Sequence, residues 1–87
     1  MHLLCRNRVK DFARWKRVFD GHAEAHKASG LAREWVRRNA DDPNEAFYLF
    51  KVIDIEKVKA FLVAPAVPDA QRESGFIEGN FWFISEI

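Results

Sequence analysis

The sequence predicts a small α+β fold in which two helices cover one face of a four-stranded antiparallel sheet. The prediction rests on two kinds of segment that alternate along the chain. Some segments are rich in apolar and extended-favouring residues, and in the others the apolar residues recur at helical spacing. The resulting order is strand, helix, strand, strand, helix, strand. All 87 residues are predicted to form one domain, residues 1–87, because one core usually serves a chain of about 50 to 200 residues.

The composition predicts a partner that covers apolar surface. Hydrophobic residues make up 48% of the chain and aromatic residues 14%, which is more large apolar area than so small a core easily hides. A homodimer is the simplest such partner. The formal net charge of +1 predicts no nucleic-acid partner and no membrane partner. The single cysteine, Cys5, excludes an internal disulfide framework, and the lack of a signal peptide or membrane span predicts a cytoplasmic protein.

Strand and helix signals come first along the chain. Residues 2–9 suit a first strand. Asp11 stands at an N-cap position, and Gly30 is placed to end the helix in a left-handed conformation. Between them we expect one helix, because the apolar residues fall on a single arc at about 100° per residue. That arc contains Phe12, Trp15, Val18, Phe19, His22, Ala25 and His26.

An antiparallel hairpin is predicted for residues 31–39 and 46–53, since the segment between them is dense in turn formers. Charge suggests the register, with Glu34 opposite Lys51. Val36 would then lie beside Leu49, and Trp35 beside Phe50. One face is predicted to carry Arg33, Trp35, Arg37, Tyr48, Phe50 and Val52, and the other Glu34, Val36, Phe47, Leu49, Lys51 and Ile53.

The second half repeats the pattern. Asp54 is a predicted N-cap, and Pro65 is expected to stop the helix that follows. Residues 67–74 suit a further short helix opened by Pro68 and closed by Gly75. The last strand is predicted for residues 80–87, which would hold the end of the chain in the sheet.

Two βαβ halves of this kind assemble into the ferredoxin-like βαββαβ arrangement. Right-handed crossovers place both helices on one face of the sheet. The other face is still apolar, and alternation vanishes in the run from Phe81 to Ile84. We therefore expect the sheets of two chains to pack face to face as a dimeric α+β barrel.

Three stretches carry a resemblance to a known family. Residues 9–20 (VKDFARWKRVFD), 27–31 (KASGL) and 38–45 (RNADDPNE) are similar to small proteins of the antibiotic-biosynthesis monooxygenase-like dimeric α+β barrel superfamily. The resemblance covers nearly the whole chain. It implies the fold and a homodimer through the sheet face more than one activity, because the superfamily contains oxygenases, haem degraders and isomerases.

His22 and His26 are the sharpest chemical feature. One helical turn separates them, and both lie on the apolar arc. Such a pair can present two imidazoles to a metal, but no third ligand has a recognisable spacing, so no metal site is predicted. One imidazole could act as an acid or base, or hold a ligand oxygen. The alternative is two side chains at the edge of the core. Gly21 beside them leaves room for a ligand or marks a local kink.

Asn7 and Trp15 are further candidates for ligand binding. Asn7 resembles the asparagine that related oxygenases place on the corresponding strand. Haem-degrading relatives also use a tryptophan and a histidine in the second half of the chain, and no histidine follows His26, so haem degradation is not expected. Trp15, with Trp35 and Trp82, could line an aromatic pocket or belong to core and interface; Trp82 is expected at the interface.

Two functions remain open from sequence. The first is a cofactor-independent monooxygenase or isomerase acting on a flat, oxygenated substrate in a helix–sheet cleft, with His22 and His26 as the catalytic candidates. Asn7, Trp15, His22 and His26 are its predicted ligand-binding residues, and no cofactor is predicted. The second is a non-catalytic dimeric ligand-binding or structural module. Whether the chain is an enzyme is left open by the residues alone.

Overall fold

The computed structural model describes residues 1–87 and has a four-stranded antiparallel sheet in the order β2-β3-β1-β4. This is the predicted ferredoxin-like arrangement, because the first and third strands form the central pair and the two crossovers place the second and fourth strands at the edges. The elements are β1 His2–Val9, α1 Phe12–Gly21, α2 Ala23–Ala28, β2 Leu31–Arg38, β3 Glu45–Val52, α3 Ile55–Leu62, α4 Ala66–Ser74 and β4 Phe76–Ile84. None of the helices is long and apolar enough to cross a membrane.

The predicted caps are confirmed. The Asp11 carboxylate accepts a hydrogen bond from the backbone N–H of Arg14 at 3.0 Å, and Asp54 accepts one from Lys57 at 3.2 Å. Each bond satisfies an N–H that has no partner inside the first turn of its helix. Gly30 and Gly75 end their helices with φ of 81° and 76°, a conformation that costs glycine little.

The core lies between the helices and one face of the sheet. Trp15 and Phe19 of α1 stack at 4.8 Å between ring centroids, and Phe19 lies 4.8 Å from Tyr48 of β3. This is the helix-facing side of the sheet. The set of buried hydrophobic residues is small: Leu3, Cys5, Val9, Trp15, Phe19, Leu31, Ala46, Phe50 and Val58.

The single helix predicted up to Gly30 is wrong in one respect, because it divides into α1 and α2 at His22. The backbone of His22 has φ −100° and ψ 12°, outside the helical range. Gly21 ends α1 and has no atom within 4 Å of where a Cβ would stand. The structure therefore shows the local break that was one interpretation of Gly21, and the space beside this glycine is open.

The predicted hairpin is present, but its register is wrong. Ala32 lies opposite Lys51 and Trp35 opposite Leu49, with an irregularity at Glu34 between them. An exposed ion pair is worth at most about 1 kcal/mol, whereas this register buries Leu31 on the helix-facing side. The bulge also exchanges faces: Trp35 and Arg37 lie opposite Leu49 and Phe47, and Val36 lies opposite Tyr48.

The last strand begins earlier than predicted and ends earlier too. β4 starts at Phe76, directly after the left-handed Gly75, and ends at Ile84, so the last three residues lie outside the sheet. The prediction of residues 80–87 is therefore correct only for residues 80–84. In the structure Gly79 pairs with Asn7 of β1.

The outer face of the sheet, opposite the helices, has two zones. One is apolar and includes Leu4, Leu49, Trp82 and Ile84, which the strand pairing places side by side. The other is an ion-pair network in which Arg6 donates to Glu45 at 2.7 Å and to Glu78 at 3.1 Å. The sequence predicted an apolar outer face, and the structure limits that property to one end.

Gly30 and Gly21 make a matched pair for testing backbone requirements. A Cβ at Gly30 would stand 2.9 Å from the Asp54 carbonyl oxygen, at a positive φ. We expect Gly30→Ala to lower the free energy of unfolding by about 1–3 kcal/mol. Gly21→Ala should leave it unchanged or raise it by up to about 1 kcal/mol. Urea denaturation measures both, and equal losses in the two variants would contradict this assignment.

Candidate functional site

A cavity of about 460 Å³ lies between the helices and the helix-facing side of the sheet. Its wall is mainly apolar and includes residues from β1, α1, α2, β3, α4 and β4. The four residues predicted to bind a ligand all line it: Asn7, Trp15, His22 and His26. Residues from β1 and from both parts of the first helical segment thus meet in one place, as a ligand site requires.

Asn7 of β1 is held by two side chains from other elements. In the amide orientation that satisfies both ends, its Oδ1 accepts from the Trp15 indole N–H and from the Tyr48 hydroxyl, each at 3.2 Å, while its Nδ2 donates to the Arg6 carbonyl at 2.8 Å. That orientation is assigned from the hydrogen-bond network. The cluster fixes a polar group at the base of an apolar cavity. Removing Asn7 would leave two buried donors unpaired, at about 1–3 kcal/mol each.

Gly79 lets β4 approach this cluster closely. A Cβ at Gly79 would stand 2.6 Å from the Arg6 carbonyl oxygen, 2.7 Å from the Asn7 side-chain amide and 2.8 Å from the Phe76 ring. No larger residue fits there without moving the strand or the amide. The absence of a side chain at Gly79 therefore helps to position Asn7.

His26 lies within a cage of aromatic rings. Its imidazole centroid is 5.0 Å from Phe19, 5.2 Å from Phe50 and 5.9 Å from Phe61. Its Nδ1 is buried and has no hydrogen-bond partner in the chain. Burial, followed by the charges of His22 and Arg33, lowers the pKa of His26 from 6.5 to about 4. The ring is therefore neutral at neutral pH.

His22 caps the break between α1 and α2. Its ring centroid is 6.4 Å from that of His26. No group of three histidine, cysteine, aspartate or glutamate side chains is arranged to hold a metal ion. The pair therefore contributes two imidazoles to the cavity wall without forming a recognisable metal centre.

A second, smaller cavity of about 310 Å³ lies on the other side of His26. It shares His26, Leu31 and Phe50 with the larger cavity. Glu24, Lys27 and Arg33 line it as well, so its wall includes charged side chains.

Several site residues were missed from sequence. Tyr48 lines the cavity beside Cys5, its partner across the β1–β3 ladder. Burial raises the pKa of Cys5 to about 12 and raises that of Tyr48 above its usual value, so both remain protonated at neutral pH. Gln71 and Ser74 of α4 also line the wall. The alternation of Tyr48 with Phe50 along β3 was the one local signal available.

The remaining candidates lie elsewhere. Trp35 and Trp82 are on the outer face, since Trp35 pairs with Leu49 and Trp82 with Leu4. Arg33 binds Asp20 at 2.7 Å and lies 4.3 Å above the Phe19 ring. Of the three tryptophans, only Trp15 lines the cavity.

Comparisons with known proteins agree on the fold. No family model matches the chain, and no curated protein matches it either. Among solved structures, SnoaB from Streptomyces nogalater, a cofactor-independent oxygenase, is 17% identical with a TM-score of 0.69, over 99% of this chain and 93% of that one. A Deinococcus radiodurans protein, provisionally named an antibiotic biosynthesis monooxygenase, is 12% identical with a TM-score of 0.70, over 100% and 95%.

A third structure gives the same result. A Bacteroides thetaiotaomicron protein with the same provisional name is 13% identical with a TM-score of 0.72, over 100% of this chain and 89% of that one. The chain therefore has the fold of the antibiotic-biosynthesis monooxygenase-like α+β barrel proteins, which confirms the resemblance at the level of fold. At such identities the likeness does not define an activity.

The low pKa of His26 makes stability depend on pH. Between its usual 6.5 and about 4, the unfolded chain binds more protons than the folded one. The stabilising contribution is therefore fully present above 6.5 and is lost as pH falls towards 4. We compare the free energy of unfolding at about pH 7 and at about pH 5. With allowance for solvent screening, we expect it to fall by about 1–2 kcal/mol more in wild type than in His26→Phe. Denaturant titrations at both pH values measure this. Packing changes cancel in the difference, and equal losses would contradict the assignment.

Proposed function

We propose that the chain binds a flat, oxygenated small molecule in the larger cavity and acts on it as a cofactor-independent monooxygenase or isomerase. One observation carries the proposal. Asn7, Trp15, His22 and His26 converge on one mainly apolar cavity. An apolar cavity with a few convergent polar groups is the usual setting of a small-molecule site.

The shape of the wall supports a flat ligand. A volume of about 460 Å³ is within the range of small-molecule sites. Aromatic rings from α1, β3 and α3 offer faces for stacking. Asn7 lies beside Tyr48, whereas His26 lies beside Phe50, two residues further along β3. A ligand with oxygen atoms at two separated positions could use both groups.

Dioxygen chemistry without a cofactor needs an electron-rich substrate. When a base removes a proton from an activated ring methylene, the resulting carbanion reduces dioxygen, one oxygen atom enters as a carbonyl and the other leaves as water. His26 is neutral at neutral pH and so has a lone pair to accept that proton. The fold shared with SnoaB, named as a cofactor-independent oxygenase, supports this choice of reaction.

A non-catalytic ligand-binding module is the second candidate. Its support is the pKa of His26, lowered to about 4 by burial, because an imidazole of such low basicity removes a proton slowly at neutral pH. In that case the same groups bind a ligand without turning it over. Both candidate functions use the same site, and only the catalytic one predicts turnover.

We also propose a homodimer through the outer face of the sheet. Trp82 is 47% exposed and Ile84 40% exposed, and both lie in the apolar zone of that face. Isolated apolar side chains are common on surfaces, but a contiguous group of them is typical of an interface. The ion-pair network around Arg6 would then lie towards the rim, where water can solvate it.

Binding can be measured by calorimetry with a dihydroxyanthrone as the probe. We expect His26→Phe to weaken binding about tenfold, because the phenyl ring keeps the packing but removes the nitrogen. Asn7→Leu should weaken it at least as much. The control Trp35→Phe, on the outer face, should bind like wild type. Equal weakening in all three variants, or none in the two cavity variants, would place the probe elsewhere.

Turnover is followed in the same solutions. If the chain is an oxygenase, it consumes isotopically labelled dioxygen and places the label in the product carbonyl. The rate should exceed that of the spontaneous reaction and should be lower in His26→Phe. Binding without label incorporation would favour the non-catalytic module, or an isomerase if the product is rearranged.

The dimer is tested by light scattering. Trp82→Glu places a charge in the apolar zone, and we expect it to weaken dimerisation at least tenfold, since an unpaired carboxylate would be buried. Val63→Glu is the matched control, because Val63 is 83% exposed and lies after α3, away from that zone. A wild type that scatters as a monomer at micromolar concentration would overturn the proposal.

A further inference from the structure

The wall of the larger cavity contains no charged side chain. Asp, Glu, Lys and Arg make up 31% of the chain, yet none of the 24 residues that line the cavity is one of these four types, and 16 are hydrophobic. The polar atoms in the wall belong to amides, hydroxyls, a thiol, an indole and two imidazoles.

Cations near the cavity are bound outside it. Arg33 pairs with Asp20 at 2.7 Å. Arg14, on α1, donates to the carbonyls of Glu73 and Arg72 at 2.9 Å and 3.3 Å, on residues of α4 that do not line the cavity. Neither guanidinium is therefore available to a ligand inside without breaking contacts that hold the helices together.

At neutral pH His26, Cys5 and Tyr48 supply no charge to the wall. The pKa of His26 is about 4, so its ring is neutral, and the raised pKa values of Cys5 and Tyr48 keep both protonated. Ser74 already donates its hydroxyl hydrogen to the Gln71 carbonyl at 2.9 Å. The amides, hydroxyls and indole of the wall are likewise uncharged donors and acceptors.

We propose that the larger cavity selects uncharged ligands and rejects carboxylates and phosphates of the same shape. The inference rests on the proposed ligand-binding function and narrows its substrate class. An anion entering this wall would lose its hydration and find no lysine or arginine side chain in exchange, which is costly in an apolar environment. A neutral quinone or phenol loses much less and recovers it by hydrogen bonds and stacking. The charge of a flat molecule, more than its shape, then decides whether it binds.

The test compares two probes of one skeleton, a dihydroxyanthraquinone and its carboxylate analogue, by calorimetry at neutral pH. We expect the carboxylate to bind on the order of a hundredfold more weakly than the neutral probe. Gln71→Arg adds a cation to the wall and should recover at least tenfold of the carboxylate affinity. Glu73→Gln makes the same change in net charge on the same helix outside the cavity and should leave both affinities unchanged. Circular dichroism verifies that both variants are folded.

The outcomes are distinguishable. Carboxylate binding equal to or tighter than that of the neutral probe overturns the selectivity and leaves the proposed binding site standing. Recovery of carboxylate binding in Glu73→Gln to the same extent as in Gln71→Arg also overturns it, because overall charge would then be the cause. Failure of both probes to bind wild type overturns the proposed function together with this inference.

Discussion

The packing of α1 against β3 is the contact on which the rest of the structure depends. Trp15 and Phe19 present one continuous aromatic surface, and Tyr48 and Phe50 receive it from the sheet. The same rings form the core and one wall of the cavity. Trp15 also holds Asn7 through its indole N–H. A shift of this helix would therefore alter stability and the polar geometry of the site together.

Much of the fold could be predicted from sequence because its determinants are local. Asp11 and Asp54 cap helices through bonds to residues three positions on, and Gly30 and Gly75 adopt positive φ at helix ends. The hairpin register could not be predicted in this way. It depends on which residues are buried against distant helices, and the exposed pair of Glu34 and Lys51 has too little energy to decide it.

Part of the site was also visible in the sequence. Helical spacing placed His22 and His26 on the apolar side of their segment, and Trp15 one turn before Phe19. The position of Tyr48 beside Asn7 follows from the pairing of β1 with β3, strands separated by two helices and a third strand. The unpaired Nδ1 of His26 likewise depends on rings brought together from α1, β3 and α3. Such properties arise only from tertiary contacts.

The cavity occupies space that a solid core would fill. Only nine hydrophobic residues are buried, and a chain of this length has a small margin of stability. A ligand bound in the cavity as proposed would contribute the missing contacts, and at a hundred times its dissociation constant it would stabilise the fold by about 2.7 kcal/mol. Cellular proteases act on the unfolded fraction. The amount of this protein in a cell would therefore rise and fall with the supply of its ligand, even at a constant rate of synthesis.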